Sequence, residues 1–88
     1  MELLKLREQI NELDSEMVSL FARRMALSAK IAEYKRKNGL PVLDATREKE
    51  LLDKVAEASP VDLKNYTREL YETVLSLSRA YQQQKLDK

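Results

Sequence analysis

The chain has 88 residues, of which 35% are charged and 43% hydrophobic, and its net charge is only +1. This length allows one small domain, and the near-neutral charge argues against nucleic acid as a partner, because phosphate binding normally requires a cationic surplus. The chain has no His and no Cys, which excludes imidazole bases, thiolate nucleophiles and conventional zinc sites.

The apolar runs of the sequence are only a few residues long. A membrane-spanning helix needs about 20 consecutive apolar residues, so none is expected here. The N-terminus also lacks the apolar core of a signal peptide, and there is no cysteine to form a disulfide. We therefore expect a cytoplasmic protein with no membrane partner.

The first predicted element is one very long helix, from about residue 2 to about residue 38. Its apolar residues recur at alternating spacings of three and four, which is the a/d pattern of a heptad repeat; they form a seam of Leu3, Leu6, Ile10, Leu13, Met17, Leu20, Leu27, Ile31 and Tyr34. Asn38, Gly39 and Pro41 mark the end of the helix. Such a helix is about 50 Å long, whereas a compact monomer of this size is only about 30 Å across. The overhang predicts a homodimer in which the long helices pack side by side.

Two shorter helices are predicted to follow, at about 45–58 and about 60–84. Asp44 is a suitable N-cap for the second helix, and Ser59-Pro60 predicts the start of the third. Both helices carry apolar residues on one face, and no segment has the pattern of a strand. The sequence therefore predicts a single all-α domain over residues 1–88, with three helices per chain.

One member of the seam is charged. Arg24 occupies a position whose neighbours in the series are hydrophobes or a tyrosine, and a desolvated guanidinium needs a partner. Two interpretations stay open: a structural ion pair with Asp44 or Glu48, or a binding site for an anion. Lys35 lies about 16 Å further along the same side of the helix, near enough for two long basic side chains to hold a small anion between them.

Arg7 also borders the seam, but it lies about 25 Å before Arg24 along the helix. The two arginines therefore cannot hold one small ligand within a single chain. If Arg7 is functional, it must reach the partner's site across an antiparallel helix pair, which would give two equivalent sites per dimer. Taken singly, Arg7 and Lys35 also fit ordinary solvated side chains, and Ser78 and Gln82 fit ordinary helix-contact polar residues.

Several strings of the sequence together resemble the all-helical, AroQ-type chorismate mutases. They are Leu6-Arg7-Glu8-Gln9-Ile10-Asn11-Glu12-Leu13-Asp14, Ala22-Arg23-Arg24, Ile31-Ala32-Glu33-Tyr34-Lys35, Pro41-Val42 and Asp44-Ala45-Thr46-Arg47-Glu48. The resemblance covers nearly the whole chain. It implies an intertwined homodimer of three-helix chains, in agreement with the overhang of the first helix.

The resemblance also implies a set of site residues: Arg7 from the partner chain, Arg24, Lys35, Asp44, Arg47, Glu48, Ser78 and Gln82. All eight have the residue type that the family pattern expects. Asn11 replaces the usual acid of the first-helix motif, at a position outside this set.

The implied reaction is the rearrangement of chorismate to prephenate, a step toward phenylalanine and tyrosine. It is intramolecular and needs no proton transfer and no covalent intermediate, so we expect no metal and no cofactor. By resemblance, Arg7 and Arg24 hold carboxylates, while Lys35 and Gln82 donate to the ether oxygen. Glu48, together with the backbone at position 44, binds the ring hydroxyl, and the remaining residues support them: Ser78 assists a carboxylate and Arg47 orders Glu48.

Two alternatives stay open. Isochorismate-pyruvate lyase shares this fold and much of the site, although the complete mutase set disfavours it. A non-catalytic helical dimerisation or regulatory module is the second, although such a module has no reason to keep charges at seam positions. At 88 residues, we expect a stand-alone enzyme, an excised domain or an engineered version.

Overall fold

A computed structural model describes residues 1–87, and every regular element in that range is helical. The elements are α1 (Glu2–Lys37), α2 (Ala45–Ala58), a single 3₁₀ turn (Val61–Leu63) and α3 (Lys64–Leu86). The prediction of an all-α fold with three helices and a very long first helix is confirmed. None of these helices is both long enough and apolar enough to cross a membrane.

The end of α1 has the geometry that the sequence predicts. Gly39 takes the left-handed conformation with φ +65°, which glycine adopts without steric cost. The Leu40 N–H donates to the Lys35 carbonyl at 2.8 Å and the Gly39 N–H to the Arg36 carbonyl at 3.4 Å. These two bonds form a Schellman motif, which ends α1 and turns the chain toward α2.

The beginning of α2 follows the prediction, whereas the beginning of α3 differs from it. The Asp44 carboxylate caps α2 by accepting from the Arg47 N–H at 3.1 Å. Ser59 caps no third helix, because its hydroxyl donates back to the Val55 carbonyl at 2.8 Å and so serves the end of α2. The Leu63 N–H bonds to the Pro60 carbonyl at 2.9 Å, which closes a 3₁₀ turn before α3 begins at Lys64.

The three helices lie side by side in one thin layer. The principal extents are 56 × 29 × 14 Å, and the smallest is close to the diameter of a single helix with its side chains, about 10–12 Å. The middle helix is α3, which packs against both α1 and α2. A stable domain normally needs two packed layers, so this arrangement leaves the broad faces of the layer without a covering element in residues 1–87.

The hydrophobic core within one chain is correspondingly small. Ala32, Ala56 and Leu75 are the buried hydrophobic residues of the described range. The apolar residues of the α1 seam remain between 47% exposed at Leu6 and 64% exposed at Tyr34. The apolar seam of α1 is therefore about half exposed to solvent in an isolated chain.

Candidate active site

A polar cavity of about 260 Å³ lies where α3 faces the C-terminal half of α1 and the beginning of α2. Its lining comprises Ile31, Lys35, Val42, Asp44, Arg47, Glu48, Leu75, Ser78, Arg79 and Gln82. Six of the eight residues expected from the sequence share this lining: Lys35, Asp44, Arg47, Glu48, Ser78 and Gln82. The three helices thus bring together residues that lie far apart in the chain.

Arg24 joins the cavity through Ser78. Its Nη1 donates a hydrogen bond of 2.7 Å to the Ser78 Oγ, whose hydroxyl lies 3.7 Å from the Met25 sulfur. Within residues 1–87, no carboxylate lies within ion-pair distance of Arg24. The structural ion pair with Asp44 or Glu48 is thus not formed, and the charge of this half-buried guanidinium is not neutralised by a carboxylate.

Lys35 is held at the cavity by the chain that links α1 to α2. Its Nζ donates to the Val42 carbonyl at 2.7 Å, and the side chain is half-buried. A carbonyl accepts only one of the three ammonium protons. The other two remain available to an acceptor in the cavity, and the backbone bond limits the directions in which they point.

Gln82 is buried and pairs with Ser28, a residue outside the eight expected from the sequence. Its Nε2 lies 2.6 Å from the Ser28 Oγ, while its Oε1 is buried without a partner in the part of the chain described. A serine hydroxyl both donates and accepts, so the opposite amide orientation is equally compatible with this contact. In that orientation Ser28 donates to Oε1, and Nε2 is the amide group whose hydrogen-bonding capacity is unused.

Glu48 is held by a second residue that sequence reasoning missed. The Arg79 Nη1 pairs with the Glu48 Oε1, which links the first turn of α2 to α3. The Arg47 side chain is exposed and makes no side-chain hydrogen bond within residues 1–87. One signal was available: Arg79 follows Ser78 and lies three residues before Gln82, so the three lie close together on one side of α3.

Arg7 is not part of the cavity in a single chain. It is exposed in the N-terminal half of α1, about 25 Å from Arg24 along the helix axis. The structure of one chain therefore assembles seven of the eight expected residues, with Arg24 joined through its hydrogen bond, and leaves Arg7 apart.

A larger hollow of about 450 Å³ lies beside this cavity, between α1 and α3. Apart from Arg24, Thr73 and the Tyr71 hydroxyl, its lining is apolar: Met17, Val18, Leu20, Phe21, Leu70, Val74 and Leu77. A hollow with so few polar groups lacks the chemistry for a small anion, despite its size. It is continuous with the exposed seam of α1, and we interpret it as an apolar packing surface that one chain leaves uncovered.

The ion pair between Glu33 and Arg36 lies on the exposed surface of α1, outside the cavity. A hydrogen bond from the Arg36 guanidinium lowers the pKa of the Glu33 carboxyl, and the same bond raises the pKa of Arg36. Both side chains are about half exposed, and such pairs contribute little to stability. This pair therefore contributes little to the stability of α1, and neither residue lines the cavity.

Comparison with protein families gives a match over most of the chain. The family model described as chorismate mutase type II matches residues 6–83. The chain belongs to this family. The matched range contains all eight residues that the sequence singled out, together with Ser28 and Arg79.

Relatives of this chorismate mutase type II chain occur both alone and within longer proteins. It is 30% identical to "Chorismate mutase" of Methanocaldococcus jannaschii, over 98% of this chain and 89% of that protein. It is 36% identical to "Bifunctional chorismate mutase/prephenate dehydratase" of Buchnera aphidicola subsp. Schizaphis graminum, over 99% of this chain but only 23% of that protein. A shorter match of 43% identity covers 54% of the chain and 13% of "T-protein" of Haemophilus influenzae. No solved structure matches the chain significantly.

Proposed function

We propose that this chain is an isomerase that converts chorismate to prephenate. The observation that carries the proposal is the shared cavity lining of Lys35, Asp44, Arg47, Glu48, Ser78 and Gln82, with Arg24 attached through Ser78, in a chain of this family. The relative that is similar over most of its own length bears the name of the same activity.

The charges around the cavity suit a dianion with two carboxylates. Four cations and two carboxylates surround it, so two positive charges are in surplus: Arg24, Lys35, Arg47 and Arg79 against Asp44 and Glu48. Arginine binds carboxylates in a bidentate manner, and gripping both carboxylates selects the compact conformer in which the two reacting carbons are close. The reaction is unimolecular, so selection of this conformer is already a large part of catalysis.

The remaining acceleration comes from charge that develops during the reaction. The ether C–O bond breaks as the new C–C bond forms, and negative charge gathers on the ether oxygen. Lys35 and Gln82 are the donors for that oxygen in this proposal, since preorganised donors aimed at developing charge stabilise the transition state more than the ground state. Glu48 accepts a hydrogen bond from the ring hydroxyl, and the backbone at position 44 supports that contact. No group has to gain or lose a proton.

We further propose that the working unit is a homodimer in which Arg7 of each chain enters the partner's site. Two observations support it: the layer is only 14 Å thick in its smallest extent, and the seam of α1 is about half exposed along its length. A second chain would provide the missing layer and cover the seam, since burial of apolar surface drives association. An antiparallel pair of α1 helices would then bring Arg7 to the partner's Arg24. A cytoplasmic location stays a prediction of the sequence.

The decisive experiment follows chorismate by ultraviolet absorbance with purified protein and identifies the product. Saturable conversion to prephenate is expected, with loss of activity in Arg24→Ala. The same protein is assayed with isochorismate, and pyruvate release from it in the absence of prephenate formation would favour the lyase instead. A folded dimer without turnover on either substrate would indicate a non-catalytic module.

A further inference from the structure

One ion pair of the cavity joins a predicted site residue to a residue outside the predicted set. The pair joins the Arg79 Nη1 on α3 to the Glu48 Oε1 on α2. The Glu48 side chain is 21% exposed and the Arg79 side chain 37% exposed. Within residues 1–87, Oε2 of Glu48 has no hydrogen-bond partner.

A second ion pair between the same two helices provides an internal comparison. The Arg68 Nη2 lies 3.1 Å from the Asp53 Oδ1, with side chains 40% and 50% exposed. It also links α2 to α3, but neither residue lines the polar cavity. The two arginines therefore share a structural role, and only Arg79 combines that role with a place in the cavity wall.

We propose that Arg79 is a positioning residue that aims the Glu48 carboxylate at the ring hydroxyl of the substrate. This inference rests on the proposed function. By occupying Oε1, Arg79 restricts the rotation of the carboxylate and leaves Oε2 as the acceptor that faces a ligand. A charge-assisted bond to a planar guanidinium is strong and directional, so the acceptor is in place before the substrate binds.

Arg79 also reduces the electrostatic repulsion between Glu48 and an anionic substrate. A dianionic substrate that approaches an unpaired carboxylate meets repulsion, which is poorly screened in a part-buried cavity. The Arg79 guanidinium offsets the charge of Glu48 without taking up both of its oxygens. Arg47 makes no such contact within residues 1–87, although it is adjacent to Glu48 in sequence. The guanidinium that contacts Glu48 comes instead from α3.

The test compares Arg79→Gln with Arg68→Gln. Each change removes one α2–α3 ion pair, so the two should cost similar amounts of thermal stability. Only Arg79→Gln should lower kcat/KM, by about 10- to 100-fold, the range expected when a hydrogen bond to a charged group is lost. The loss should appear mainly in KM, because the ring hydroxyl is bound in both the ground state and the transition state. Arg79→Lys keeps the cation and should recover part of the activity.

A double-mutant cycle with Glu48→Gln separates positioning from a general effect on the fold. If Arg79 acts through Glu48, Arg79→Gln should cost much less in the Glu48→Gln background than in the wild type. Full additivity, or an Arg79→Gln protein as active as Arg68→Gln, would overturn the role of Arg79 while leaving the proposed function intact. A wild-type protein without turnover would overturn both. If Arg79→Gln does not fold, Arg79→Lys is compared with Arg68→Lys by the same criteria.

Discussion

Arg24 on α1 and Ser78 on α3 are joined by a hydrogen bond of 2.7 Å from the guanidinium Nη1 to the hydroxyl oxygen. The bond satisfies one donor of the charged residue in the seam and leaves its positive charge uncompensated by any carboxylate in residues 1–87. Ser78 is buried and also lines the cavity. The pair therefore holds a cation at the edge of the cavity, where an anionic ligand can complete its hydrogen bonds.

Ser78→Ala should weaken both folding and substrate binding. It leaves a half-buried guanidinium donor without an acceptor, which costs about 1–3 kcal/mol, and it frees Arg24 to leave the position in which it would bind a carboxylate. Chemical denaturation measures the first effect and KM for chorismate the second. Ser76→Ala, at an exposed position of the same helix, is the matched control; equal behaviour of the two variants would contradict the role of Ser78.

Lys35→Ala should lower kcat by about 10²–10³, by analogy with the loss of an oxyanion donor, with little change in helicity. The reason is that its ammonium is proposed to meet charge that develops on the ether oxygen only in the transition state. Steady-state kinetics and circular dichroism measure the two effects. Lys30→Ala changes an exposed lysine of α1 and should behave as wild type. Near-wild-type turnover of Lys35→Ala would remove this residue from the mechanism.

Gln82→Glu should convert a pH-independent donor into one that requires a proton. A glutamate titrates near pH 4.3 in model peptides, and only its neutral form donates a hydrogen bond. Activity should therefore be retained at acid pH and fall as the pH rises through the titration of the new carboxyl. The measurement is kcat/KM as a function of pH, with Gln84→Glu, an exposed position, as the control. A flat profile for Gln82→Glu would refute the donor role.

Arg7→Ala and Arg24→Ala should each be poorly active, and mixing the two proteins should restore activity. In a heterodimer, one site combines intact Arg24 of one chain with intact Arg7 of the other, while the second site carries both substitutions. Random exchange at equal concentrations makes half of the dimers mixed, so about one quarter of the wild-type site number should return. Native mass spectrometry verifies the exchange. Proven exchange without recovered activity would show that Arg7 does not act in trans.

Ser28→Ala should reduce activity through Gln82 and not through contact with substrate. The change removes the partner that lies 2.6 Å from the Gln82 amide and allows the amide to turn. We expect a lower kcat with a nearly unchanged KM, because the contact proposed for the amide strengthens in the transition state. Ala26→Ser, at an exposed position two residues earlier, controls for a changed serine count in α1. An unchanged kcat for Ser28→Ala would show that Gln82 needs no support.

The sequence was a good guide to the elements and a partial guide to the site. Alternating spacing along α1, the Asp44 cap and the left-handed Gly39 are local features, and local features can be read from neighbouring residues. Ser59 is an example of a residue whose role could not be predicted from its neighbours. Its type suits the start of one helix and the end of another equally well, and only the packed chain decides that its hydroxyl turns back to Val55.

By itself the sequence determined three helices, a resemblance to one family, one charged residue in an apolar seam and a set of eight candidate site residues. The tertiary structure alone decided that Arg24 meets Ser78, that Gln82 meets Ser28 and that Arg79, not Arg47, holds Glu48. Each of these pairs crosses from one helix to another. Such contacts depend on the rotation and the axial shift of packed helices, which ridge-and-groove packing sets and which no periodicity within a single helix specifies.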